Sequence, residues 1–154
     1  MQKITPFLWF NGNIEEAMTF YTSIFKNTKI NNVHRIGDGA GGKILTATFQ
    51  LENQEFMALD GGPMFKFTPA ISFFVNCETQ EEVDNFWAKL SAGGSEDRCG
   101  WLKDKFGLSW QIIPSALGKL MGDPDPVKSQ NVMNAMLKMN KIEIKKLQEA
   151  YDQK

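Results

Sequence analysis

The chain has 154 residues, 42% hydrophobic and 23% charged, with 17 basic against 18 acidic side chains and a formal net charge of −1. Such a chain buries a sizeable core without disulfide or metal staples, and it lacks the basic excess that neutralises phosphates, so nucleic acid is not an expected partner. No apolar run approaches the roughly 20 residues that span a bilayer, and the opening MQKITPFLWFNGN is too briefly apolar for a signal peptide; a cytoplasmic protein without a membrane partner is expected.

In chain order, Ile4–Phe10 is short, aromatic and β-branched, which reads as a strand buried on both faces. Asn13 then stands three residues ahead of Glu16 as a capping box, and Ala17, Phe20, Tyr21 and Ile24 share one helical face. Strands follow at Lys29–Ile36, Lys43–Leu51 and Glu55–Asp60, punctuated by Gly37–Gly42 and by Glu52–Gln54. About 66 residues after its first occurrence the pattern returns. Ala70–Val75 repeats the first strand, and Thr79, Glu82, Val83, Phe86, Trp87 and Leu90 repeat the capped amphipathic helix.

Ala92-Gly93-Gly94 ends that helix, and strand-like pieces fall around Ser95–Lys103 and Leu108–Ile113, split by Asp104–Gly107. Beyond Pro114 helix formers dominate. Asp125 and Pro126 supply an N-cap and N1 for a helix bearing Val132, Met133, Met136 and Leu137, and Lys141–Tyr151 carries Ile142, Ile144, Leu147 and Tyr151. The methionine stripe reads as core or dimer packing. The expected fold is α+β: two βαβββ modules, about residues 1–66 and 67–114, with their helices on one face of a combined sheet, and a helical tail over about 115–154, together forming a single domain.

The segments ITPFLWFNGNIEEAMTFYTSIF, EFMALDGGPMFKF, ISFFVNCETQEEVDNFW and CGWLKDKFGLSWQIIP, with the tail NVMNAMLKMNKIEIKKLQEA, resemble the PhnB-like branch of the vicinal-oxygen-chelate superfamily, the glyoxalase/bleomycin-resistance/dioxygenase fold. Members of this branch often bear the name 3-demethylubiquinone-9 3-methyltransferase. The resemblance spans nearly the whole chain and implies the duplicated fold. It also implies that metal ligands, where the superfamily uses them, project from the first and last strands of each module. Here the aligned positions are Pro6, Ala70 and Gln111, and Thr46–Phe49 contains no His, Asp or Glu. Proline and alanine offer no donor and a neutral amide is a poor ligand for zinc, nickel or iron, so the fold is implied without its metal chemistry. The single histidine, His34, agrees with that. An S-adenosylmethionine site would place a glycine-rich loop between a parallel strand and a helix, whereas Gly37–Gly42 and Gly61-Gly62-Pro63 are each followed by non-helical patterns. No cofactor and no metal are expected.

With Pro6, Ala70 and Gln111 setting the phase, strand alternation puts Leu8 and Phe10 beside Pro6, Ser72 and Phe74 beside Ala70, and Ser109 and Ile113 beside Gln111 on a concave face. Phe7, Trp9, Ile71, Phe73, Val75, Trp110 and Ile112 would then pack beneath the helices. The expected ligand-binding residues are Pro6, Leu8, Phe10, Ser72, Phe74, Ser109 and Gln111, with Asp60, Cys99 and Trp101 at the rim. Asp60 before Gly61-Gly62 is more often a turn residue bonding its own backbone than a catalytic acid, Cys99 and Cys77 fit small buried hydrophobes, Trp101 fits core, and His34 fits a structural role. A neutral, mostly apolar face suits an aromatic or amphipathic small molecule, bound by a homodimer without metal. The alternative is an enzyme, either the methyltransferase of the family name or another reaction using Asp60, Cys99 or His34. A weaker third reading makes the helices after Asp125 a docking element for a partner protein.

Overall fold

A computed structural model of the chain describes residues 2–37 and 41–154, so the turn expected at Gly37–Gly42 lies partly outside the described residues. The architecture is α+β, divided into two compact units, Met1–Phe67 and Thr68–Lys154. Each unit contains one βαβββ module. The strands are hydrogen-bonded as two four-stranded sheets, one per unit, where a combined sheet was expected.

In the first unit, β1 (Phe7–Phe10), α1 (Ile14–Ile24), β2 (Lys29–Ile36), β3 (Lys43–Leu51) and β4 (Gln54–Asp60) assemble in the order β1-β4-β3-β2. β1 runs parallel to β4, and the remaining pairs are antiparallel. Glu52 and Asn53, both at positive φ, form the two-residue turn joining β3 to β4, because that conformation follows the strand twist. Between the His34–Thr46 and Arg35–Ile44 pairs the register slips by one residue of β3. This bulge at Leu45 is why Ile44 is buried and Leu45 exposed, out of step with Ala47, Phe49 and Leu51. α1 packs on the sheet with Ala17, Met18, Tyr21 and Ile24 buried. Tyr21 stacks on Phe49, and Phe49 on Phe56, at 6.3 and 5.3 Å between ring centroids.

The second unit repeats the topology with β5 (Ser72–Cys77), α2 (Gln80–Ser91), β6 (Ser95–Glu96), β7 (Trp101–Lys103) and β8 (Ser109–Pro114) in the order β5-β8-β7-β6, β5 again parallel to β8. The segment read as Ser95–Lys103 is thus a pair of short antiparallel strands. Val83, Trp87 and Leu90 of α2 are buried, with Cys77, Leu102, Trp110 and Ile112 on the sheet side they cover.

Only one of the two expected capping boxes forms. Thr79 is extended (ψ 161°) and its hydroxyl accepts from the Glu82 amide at 3.2 Å, while Glu82 accepts from the Glu78 amide, one residue ahead of the cap. Asn13 instead has ψ 25°, makes no cap bond, and leaves its Oδ1 buried without a partner. That backbone angle turns the side chain away from the helix amides it would have to reach. Neither Ile4–Phe10 nor Ala70–Val75 is buried on both faces, since Phe7 and Phe74 are exposed.

Three helices follow, α3 (Ser115–Met121), α4 (Pro126–Met136) and α5 (Ile144–Tyr151). Asp125 caps α4, accepting from the Val127 amide at 2.9 Å, with Pro126 in the first turn as expected. Leu117, Val132, Met139, Ile142 and Leu147 form one buried cluster with Ile113 of β8, whereas Met133 and Leu137 of the methionine stripe are exposed.

Candidate functional site

On the second sheet, Trp110 and Ile112 lie on the side covered by α2, so alternation places Ser109, Gln111 and Ile113 on the opposite face. The register sets Ser72 beside Ser109 and Phe74 beside Gln111 from β5, and Trp101 beside Gln111 from β7. Five expected site residues therefore meet on one sheet face. Gln111 Nε2 donates to Ser72 Oγ at 2.9 Å, leaving the carboxamide oxygen as an acceptor. Ser109 Oγ is buried with no hydrogen-bond partner, a deficit costing roughly 1–3 kcal/mol. Phe74 is 59% exposed and Trp101 half-buried beside it in the Gln111 row. Lys103, paired with Ser109 and on the same face as Trp101, adds one basic side chain that was not among the expected site residues.

Cys99 precedes β7 in the left-handed region (φ 60°), half-buried, its amide donating to Met139 O at 2.8 Å. Cys77 is fully buried, and burial first, then Glu82 and Glu78, pushes its thiol up to about 12. It stays protonated and is not a nucleophile.

The phase expected for the first sheet is inverted. Phe49 and Phe56 stack beneath Tyr21, Ala58 lies on the Phe56 side of β4, and Leu8 pairs with Ala58. Leu8 and Phe10 are accordingly core residues, 6% and 2% exposed, on the α1 side. Pro6 sits just ahead of β1, its carbonyl accepting from the Met57 amide. Phe7 and Trp9 occupy the face opposite α1, where one row across the sheet reads Trp9, Leu59, Thr46, His34. His34 is exposed there. The misplacement arises because both sets of β1 side chains are apolar, so alternation alone does not orient the strand, and a one-residue slip flips every side chain.

Asp60 ends β4. Its Oδ1 accepts from the Gly12 amide at 2.8 Å, and Lys43 Nζ lies 3.5 Å from Oδ2. The Gly12 amide, then Lys43 and the Gly62 amide, hold its carboxyl below the usual 3.8 in spite of partial burial. A depressed folded-state pKa contributes stability that is complete above the unfolded value and is lost as pH falls through the folded one. Replacing Asp60 by Asn is expected to destabilise the protein at pH 7 and to make progressively less difference below about pH 3.8; urea titrations of both proteins across that range check it, and a pH-independent difference would refute the linkage. Beside Asp60 a cavity of about 440 Å³ is lined by Gly12, Glu15, Arg35 and Lys43 among others. Its charges are already paired, Arg35 with Glu15 at 3.4 Å and Lys43 with Asp60.

Among the described residues neither a metal-donor cluster nor a glycine cradle at Gly61 is formed. Among the described residues no three His, Cys, Asp or Glu side chains gather as a metal site, and Gln111 offers only a neutral carboxamide oxygen, a poor ligand for zinc, nickel or iron. Gly61 does not open a nucleotide cradle: a Cβ there would fall 2.2 Å from the Trp9 ring, whose Nε1 donates to Gly62 O and whose edge meets Phe65. The glycine is spent on packing the indole.

The family model described as 3-demethylubiquinone-9 3-methyltransferase matches residues 2–113. A PhnB protein of Bacillus cereus, provisionally described as a 3-demethylubiquinone-9 3-methyltransferase, is 43% identical over 74% of this chain and 100% of its own, with a TM-score of 0.68. Protein PA1353 of Pseudomonas aeruginosa is similar at 23% identity over 74% of this chain and 98% of its own, TM-score 0.64. The fosfomycin resistance protein FosX of Listeria monocytogenes is similar at 13% identity over 75% and 93%, TM-score 0.54. At those two identities the likeness is one of fold. No curated protein matches. The tail lies outside the family match, so the resemblance expected for its sequence is not part of it.

Proposed function

We propose, from the premise that this chain belongs to the PhnB-like family of the vicinal-oxygen-chelate superfamily described as 3-demethylubiquinone-9 3-methyltransferases, that it binds an aromatic or amphipathic small molecule without a metal. The carrying observation is the face of the second sheet opposite α2, where Phe74 and Trp101 flank the Gln111–Ser72 hydrogen bond. Flat rings stack on such side chains while a neutral amide and hydroxyls orient one polar group. The reading takes residues 1–154 as one working domain, acting as a homodimer in the cytoplasm. Among the described residues no helix is long and apolar enough to cross a membrane.

Titration with 1-naphthol, followed by tryptophan fluorescence, tests the reading. Saturable binding is expected, weakened roughly five-fold in Gln111→Ala by loss of about one neutral hydrogen bond. Tight stoichiometric uptake of added zinc or manganese would overturn the metal-free reading. The family description favours a second reading, methyl transfer; calorimetric heat on adding S-adenosylmethionine at millimolar concentration would support it, and its absence would leave the binding reading alone.

A further inference from the structure

The face just described has a direction. Along β8 it runs from Ser109, with Lys103 and Ser72 beside it, through Gln111, with Trp101 and Phe74, to Ile113. The first end is polar and carries the one basic side chain of these three rows, Lys103, next to the buried hydroxyl of Ser109 that lacks a partner. The middle is aromatic. The last end is closed: Ile113 is only 8% exposed, buried with Leu117, Val132, Met139, Ile142 and Leu147 of the tail.

The closure is held from several sides. The Cys99 and Gly100 amides donate to Met139 O and Asn140 O, both at 2.8 Å. Gln80 grips the next residues, donating to Ile142 O at 3.0 Å and accepting from the Ile144 amide at 2.7 Å, and Lys141 pairs with Asp84 at 2.9 Å. A Cβ on Gly100 would lie 2.7 Å from Ile113 Cδ1 and 3.1 Å from Ile142 Cγ1, so no slot remains between Gly100 and the tail.

We propose that this face takes a short aromatic carboxylic acid, its carboxylate at Lys103, its ring between Phe74 and Trp101, and its far end stopped by the wall that the tail builds over Ile113. The proposal rests on the small-molecule reading above and specifies the ligand class. Four residues of strand separate the two ends, about 13 Å, which accommodates a benzoate bearing about four or five para carbons. A quinone with a long isoprenoid chain does not fit along this axis. The family match ends at residue 113, so the wall comes from outside the shared region.

The test uses the full chain, with 4-alkylbenzoates from methyl to octyl and the matching uncharged benzamides, read by calorimetry. Benzoate affinity is expected to rise roughly four-fold per methylene up to the wall and then fall. Lys103→Met is expected to weaken benzoates roughly ten-fold while sparing benzamides. Ile113→Ala should move the break to longer chains and Ile113→Phe to shorter ones, the pair guarding against a variant that fails to fold. Affinity that climbs unbroken to octyl, or a break that ignores residue 113, overturns the wall. Benzoates indifferent to Lys103, or benzamides binding where benzoates do not, overturn the acid assignment while leaving the small-molecule reading intact. Binding of neither series overturns both.

Discussion

Replacing Asp104 by Ala is expected to remove about 3–5 kcal/mol of stability, one of the two largest losses anticipated for a single side chain here. Asp104 is 2% exposed in the connection between β7 and β8. Its Oδ1 accepts from the Phe106 and Leu108 amides at 2.8 and 3.1 Å, and its Oδ2 from Trp110 Nε1 at 2.9 Å. Alanine would remove the acceptor of all three bonds, the indole's within the core, and a buried group that loses its bond costs more than the net worth of that bond. Trp110 lies between Ser109 and Gln111, so the same change should loosen the ligand face. Asn keeps an acceptor for the two amides and should lose roughly half as much. Urea unfolding at pH 7 measures both, and a loss under 1 kcal/mol in the alanine variant would contradict the account.

Gly100→Ala is expected to cost about 2–5 kcal/mol, combining the left-handed penalty for a side chain with overpacking. Gly100 has φ 83°, and the added methyl would press on Ile113, on the Ile112 carbonyl at 3.0 Å and on Ile142. The strain falls where the tail docks. Amide exchange in residues 139–151 should therefore accelerate more than in α2, and uniform acceleration would show that the site is not a local anchor. Cys99, also left-handed beside it, offers no such relief because it already carries its side chain in that conformation.

Much of the fold was legible in local sequence. The repeated pattern around Phe20-Tyr21 and Phe86-Trp87 marks two equivalent helices, and both modules do fold with the first strand parallel to the last. Thr79 and Asp125 announce their helices and cap them. Asn13 carries the same signal and does not, because capping depends on a backbone angle that side-chain identity does not set. The strand phase taken from the resemblance holds on the second sheet only. β8 mixes Ser109 and Gln111 with apolar Trp110 and Ile112, so polarity reveals its phase, whereas Phe-Leu-Trp-Phe in β1 reads alike on both faces. Asp104 was visible as a turn residue before Gly107, but its hold on Trp110 was not, since the indole lies beyond the turn.

By itself the sequence determined the duplication, the α+β class and the helical tail. These follow from residue type and periodicity, which are local properties. The tertiary structure alone decided that Leu8 and Phe10 go to the core, that Lys103 shares a face with Gln111, and that the tail closes that face at Ile113. Each of those depends on strand register or on contacts between segments far apart in the chain, and a one-residue change in register exchanges a buried side chain for an exposed one.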